Sequence, residues 1–257
     1  HYFTLAANQN YYLAQYNLAV IYDDGQYVKR DISKAIHYFT LAANQNYYLA
    51  QYNLAIIYDE GQYVKRDINK AIHYYSCAAS QSDPQSLYNL GHIHYCGING
   101  SPDMNKAIHY FTLASEQNNP QAQYVLGTIF LFGLNGKVDI DKAIKYFKLA
   151  ANQNISEALY VLGIIYIQGQ YVKTDIKKAI HYFTLASNQN HSYAQYNLGV
   201  LYENGIYVPR DINKAIFYHS LAANHNLCQS QLHLGYLYQT LNNFQKSIYF
   251  YSLASNQ

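Results

Sequence analysis

Between residues 13 and 22 the apolar positions Ala14, Leu18, Ile21 and Tyr22 follow the i, i+4, i+7, i+8 spacing of one helix face. The pattern predicts a helix, called helix A, that ends at Gly25, because glycine takes the left-handed C-cap conformation without strain. The connection QYVKR leads to Asp31, an N-cap residue whose carboxylate accepts from the free amides of a following helix and complements its dipole. That second helix, helix B, shows Ile32, Ala35, Ile36, Phe39 and Ala42 on one face and closes in the tract NQN, with Asn46 placed for a left-handed turn. Lys34 stands where a capping box would carry Glu, so the cap reads as good but not ideal. Val28, with Val64, Val172 and Val208, reads as a plug between the two helices.

The pair then repeats at a fixed interval. Its aspartate returns as Asp67, Asp103, Asp139, Asp175 and Asp211, and its glycine as Gly61, Gly97, Gly133, Gly169 and Gly205, every 36 residues. A constant period of this length means stacked supersecondary units, each too small to bury its apolar face alone. Small residues recur in helix A (Ala19, Ala55, Gly91, Gly127, Gly163, Gly199, Gly235) and in helix B (Ala35, Ala71, Ala107, Ala143, Ala179, Ala215, Ser247). A mid-helix glycine costs roughly 1 kcal/mol against alanine, so these positions predict close helix crossing. The units divide as a truncated helix B at 1–10, hairpins at 11–46, 47–82, 83–118, 119–154, 155–190 and 191–226, and a shorter hairpin at 227–257.

The stretch AQYNLGVLYENGIYVPRDINKAIFYHSLAA, Ala194–Ala223, resembles the Sel1-like repeat, a relative of the tetratricopeptide repeat, and the match extends over the whole chain. The last unit, LGYLYQTLNNFQKSIYFYSLA, has a tighter inter-helix spacing and resembles a true tetratricopeptide repeat. The resemblance implies an all-α, right-handed αα-hairpin solenoid, a superhelix whose helix A rows line the concave face. It implies a non-catalytic protein–protein interaction scaffold or adaptor that binds a peptide or partner domain there. Other roles it implies are a regulatory array fused to a catalytic domain, such as a protein kinase, outside these residues, and a purely structural spacer.

On that face, three residues before each small helix A residue stand Tyr16, Tyr52, Tyr88, Tyr124, Tyr160 and Tyr196. Two before it stand Asn17, Asn53, Asn89 and Asn197, with Val125 and Val161 interrupting. An Asn amide can donate and accept together, and tyrosine offers rigid contact area with a polar tip. These ten tyrosines and asparagines are the candidate partner-binding residues. The alternative is that they belong to the scaffold, with the tyrosines half-buried between helices. Six before the small residue the sequence varies, as in Leu13, Gln85, Glu157 and Tyr193, which is where partner specificity would be written.

Composition narrows the rest. The chain holds 32 tyrosines among 257 residues and no tryptophan, and only 12% of it is charged. A net charge of +2 gives no case for nucleic acid or an anionic membrane, and no apolar run is long enough for a spanning helix. Cys77, Cys96 and Cys228 form neither a CxxC motif nor an even framework, and Cys77 reads as a small core residue in place of Leu. The secreted, cysteine-rich relatives linked to β-lactam hydrolysis carry paired cysteines, which this chain does not supply. Cytoplasm is the expected compartment, with the ER lumen of some relatives the alternative. The chain begins at His1 inside a unit and without Met, as a fragment of a longer array would.

No catalytic residue, cofactor or metal ligand is expected. The ladder His1, His37, His73, His109 and His181 occupies one partly exposed helix B position. Its rungs are about one helix-packing distance apart, too far to share a zinc ion. His92 and His94 point to different faces. Asp23–Asp24 and Asp59–Glu60 lie across the loop from Lys29–Arg30 and Lys65–Arg66, as mutually compensating surface charge.

Overall fold

The computed structural model describes residues 2–256; His1, the first rung of the histidine ladder, lies outside them. Every element among the described residues is an α-helix. The chain falls into two compact units, 1–138 and 139–257. Unit 1 holds α1 (Tyr2–Asn8), α2 (Tyr12–Asp24), α3 (Ile32–Asn44), α4 (Tyr48–Glu60), α5 (Ile68–Ala79), α6 (Pro84–Cys96), α7 (Met104–Glu116) and α8 (Pro120–Phe132). Unit 2 holds α9 (Ile140–Asn152), α10 (Ser156–Gln168), α11 (Ile176–Asn188), α12 (Ser192–Asn204), α13 (Ile212–Asn224), α14 (Cys228–Thr240) and α15 (Phe244–Ser255). Within each unit consecutive helices pack in sequence, so the fold is an all-α stack of αα-hairpins.

Six of the hairpins are closed by one residue acting in two directions. The Asp31 backbone N–H donates to the Tyr22 carbonyl at 2.9 Å, while its carboxylate accepts from the Lys34 amide at 3.0 Å. Asp67, Asp103, Asp175 and Asp211 repeat both bonds. Lys34, which offers no capping-box carboxylate, completes the device in another way. Its Nζ lies 3.4 Å from Asp31 and 5.0 Å from the centre of the Tyr22 ring, a joint ion pair and cation–π contact. Tyr22 in turn stacks flat on Tyr38, with ring centres 6.0 Å apart and planes 2° from parallel. Tyr58–Tyr74, His94–Tyr110, Tyr166–Tyr182, Tyr202–Tyr218 and Tyr238–Phe250 stack in the same way. The shorter last loop keeps the closure, with Asn243 donating to the Tyr238 carbonyl at 2.8 Å and accepting from the Lys246 amide.

The core runs through the small residues. Phe39, Phe111, Phe147 and Phe183, all fully buried, occupy one helix B position, and Tyr75 takes the same place in α5. The expected close crossing is real: a Cβ placed on Gly163 would sit 2.5 Å from two carbons of the Phe183 ring. Between hairpins a part-buried amide ladder adds to the apolar packing. Gln51 donates to the Ala43 carbonyl at 3.3 Å and to Asn46 at 3.1 Å, and Gln81 donates to Gln51 at 2.9 Å. Asn46 has φ 62°, the left-handed turn expected of it.

Two local expectations need correction. Val28 is 41% exposed, and Val64, Val172 and Val208 are only half-buried, so the loop valines do not plug the hairpin. Cys77 is half-buried rather than core, because its position faces outward: Leu149 and Leu185 in the same place are exposed.

Two predictions follow from these contacts. Gly163→Ala regains about 1 kcal/mol of helix propensity but overpacks the Phe183 ring by about 1–3 kcal/mol, for a net loss of about 1 kcal/mol. A urea midpoint at or above that of the parent would show that the ring gives way. The second concerns acid. The Lys34, Lys106 and Lys178 backbone amides hold the Asp31, Asp103 and Asp175 carboxyls below the usual carboxylate range. A folded-state pKa below the unfolded value means stabilisation that is complete above about pH 4 and is lost as pH falls through the folded value. The triple variant D31N/D103N/D175N keeps the cap acceptor without the charge. Its helicity, followed by circular dichroism, should therefore fall less steeply below about pH 4 than the parent's.

Candidate functional site

The helix A tyrosines are half-buried, and five of them lie against the core ring of their own hairpin. Ring centres are 5.8 Å apart for Tyr16–Phe39, 6.2 Å for Tyr52–Tyr75, 5.7 Å for Tyr88–Phe111 and 6.0 Å for Tyr160–Phe183. Tyr196 makes the same contact with His219, and Tyr124 is half-buried like the others. The asparagines divide. Asn53 donates to the Leu49 carbonyl of its own helix at 2.8 Å, and Asn17 is half-buried in α2. Asn89 and Asn197 reach the preceding hairpin, where their amides favour the ionised forms of Tyr52 and Tyr160. Burial is the larger influence on both phenols and pushes them up.

Where a helix A, its helix B and the following helix A meet, three repeat positions form a slot. In unit 1 the slot residues Asp59, Tyr75 and Asn89 line a recess of ≈ 260 Å³ with Tyr52, Glu60 and Gln85. In unit 2 the equivalent Ile167, Phe183 and Asn197 line a recess of ≈ 200 Å³ whose wall is mainly apolar, completed by Leu201, Ile206 and Tyr207. The next slot, 36 residues on, holds Glu203, His219 and His233. The same geometry therefore carries an acidic and hydroxyl lining, an apolar lining, and a carboxylate with two imidazoles.

The last of these is tightly built. One carboxylate oxygen of Glu203, Oε2, lies 3.2 Å from His219 Nε2 and 2.6 Å from His233 Nδ1. The two imidazoles stack at 4.7 Å with planes 14° apart, and Tyr196 meets both rings. His219 is fully buried, the Glu203 side chain is 10% exposed and that of His233 is 32% exposed. On its other side His219 Nδ1 faces the hydroxyl of buried Ser230 at 3.4 Å. Burial, reinforced by the neighbouring His233, drives the His219 pKa down to about 3, so the ring is neutral near pH 7. A shallow depression of ≈ 310 Å³ lined by Glu203, Leu232, His233 and Tyr236 opens the cluster to solvent.

The pattern of the Sel1 repeat matches residues 13–47, 49–83, 84–119, 120–155, 156–191, 192–227 and 228–257. The chain belongs to the Sel1 repeat family. Its fold is similar to that of a Sel1 repeat protein from Oxalobacter formigenes, 28% identical, with a TM-score of 0.72 over 84% of this chain and 89% of that one. It also resembles a protective antigen of uropathogenic Escherichia coli strains with the SLR fold, 25% identical, with a TM-score of 0.56 over 99% of this chain. The chain spans 63% of that antigen's length. No curated protein matches it. Sel1 and related repeat proteins generally act as protein-interaction scaffolds. Among the described residues no helix is long and apolar enough to cross a membrane.

The histidines that drew notice in the sequence are not those that converge. His37, His73, His109 and His181 are exposed, each beside the next tyrosine of its own helix. His94 joins the hairpin stack and His92 edges the acidic recess. Glu203, His219 and His233 were overlooked because they lie 16 and 30 residues apart along the chain, joined only by packing. A signal was available. His219 replaces a Phe or Tyr of the other Sel1 units, His233 an Asn or Val, and Ser230 most often an Ala. Burying an imidazole in a ring's place does not favour folding. H219F/S230A, which restores residues of neighbouring units and leaves the His233–Glu203 contact, should raise stability by about 1–2 kcal/mol. A lower urea midpoint would make the buried imidazole a stabilising core residue.

Proposed function

We propose that this Sel1 chain is a non-catalytic scaffold whose helix A face binds a peptide or partner domain through side chains inserted into the slots. The observation that carries the reading is the recurrence of one recess geometry with different linings. A fixed spacing with variable chemistry is how a repeat protein selects an extended partner by several side chains in register. The slot at Asp59, Glu60 and Asn89 suits a basic or hydrogen-bonding side chain. The slot at Ile167, Phe183 and Asn197 suits an apolar one. Asn89 and Asn197 stand at the rim of both, each with a bidentate amide. Tyr52 acts as a half-buried wall of the first slot, while Tyr16, Asn17, Asn53, Tyr88, Tyr124, Tyr160 and Tyr196 extend the face.

The low charged fraction and net charge of +2 support a protein partner over nucleic acid. Three free thiols support a reducing compartment such as the cytoplasm. The test is a random peptide library displayed on phage and selected against the full chain, with Kd measured on the parent, N89A and N197A. Selected peptides should bind each variant at least about tenfold more weakly, a loss of about 1.4 kcal/mol, with helicity unchanged. Peptides that bind all three proteins equally would place the partner surface away from the slots.

A further inference from the structure

Among the described residues, Glu203, His219 and His233 are the one group of three His, Cys, Asp or Glu whose ligand atoms all lie within 4.8 Å of one another. We propose that they form a binding site for a divalent transition-metal ion of the zinc class. The inference rests on the geometry of this cluster and is independent of peptide binding.

The donor set is the first argument. Two imidazole nitrogens and one carboxylate oxygen suit zinc and its first-row neighbours, whereas magnesium and calcium favour all-oxygen shells. Three protein ligands leave a fourth position, and here it faces the solvent depression bounded by Leu232 and Tyr236. Water would fill it.

Distances are the second. With bonds of about 2.0–2.1 Å, neighbouring ligand atoms of a tetrahedral zinc lie about 3.4 Å apart. Glu203 Oε2 and His219 Nε2 already stand at 3.2 Å. His233 Nδ1, at 2.6 Å from the same oxygen, is held by a hydrogen bond that the ion would replace. Tetrahedral spacing from Glu203 needs the His233 nitrogen to draw back from the carboxylate by somewhat under 1 Å, and all three ligand atoms already lie within 4.8 Å of one another. The His233 side chain is 32% exposed, which leaves room for that movement.

The third argument is support around the ligands. A metal-bound imidazole directs its other nitrogen to a hydrogen-bond acceptor, which fixes its tautomer. For His219 that acceptor is Ser230 Oγ, 3.4 Å from Nδ1, at a position most often occupied by alanine in other units. A hydroxyl can donate or accept, so Ser230 serves the ring with or without an ion. Departures from the repeat at 219, 230 and 233 thus converge on one point, with Glu203 beside them.

Zinc titrated into chelator-treated full-length chain, followed by calorimetry, should bind at one site per chain. Cobalt should give the d–d absorption of a four-coordinate site. H233N and H219F both install residues found in other units, so folding is protected, and circular dichroism checks it. Each should weaken zinc binding by about 100-fold or more, beyond the 10- to 100-fold that outer partners alone contribute. S230A should weaken it by about tenfold. No binding at micromolar zinc, or binding that H233N and H219F leave unchanged and that therefore belongs to the exposed histidines, overturns the site.

Discussion

Everything in this fold depends on the residue that closes each hairpin. Asp31 uses its own amide to bind the end of helix A and its carboxylate to start helix B, so one residue fixes both the loop and the angle between two helices. Isolated helices of 12 or 13 residues are marginal in water, and only packing against a partner holds them. The closure supplies that partner at a defined distance. Its survival in the last hairpin, where three residues (241–243) replace the seven of the first loop (25–31), shows that loop length is secondary to this pair of bonds.

From the closure follows the unusual composition. A lysine held against Asp31 needs a ring face to lie on, and that ring needs a second ring beneath it. Each of these stacks takes one aromatic residue from helix A and one from helix B, and further rings fill the helix B core and the helix A face. Tyrosine serves all these places because its hydroxyl can remain at the rim while its ring is buried. Between hairpins, the amides of Gln51, Asn46 and Gln81 add a part-buried ladder of hydrogen bonds to an apolar core that runs from one hairpin into the next.

What the sequence made legible was local. Gly25, Asp31 and Asn46 obey rules that involve neighbours within four residues, and all three took their expected conformations. The contact of Lys34 with the Tyr22 ring was not legible because that ring lies on the preceding helix. The role of Gln51 was not legible, since its partner Gln81 is 30 residues away. The Glu203 cluster was hidden for the same reason. Comparison of the repeats with one another, position by position, would have exposed it where spacing motifs could not.

The slot unites these observations. Asp59, Tyr75 and Asn89, then Ile167, Phe183 and Asn197, then Glu203, His219 and His233 are the same three positions of the repeat. The ring position is also the core position that determines how closely helix A approaches, so it resists change everywhere that packing alone governs it. At His219 it has changed nonetheless, to a buried imidazole bonded on both sides. A scaffold repeated this faithfully has no packing reason to bury a polar ring in one unit, since Phe183 fills the same place one unit earlier. The reason must then lie in what the ring's nitrogens can bind. The two nitrogens of His219 point at Glu203 and Ser230, which leaves the chemistry of the cluster, not its volume, as the property that this unit retains.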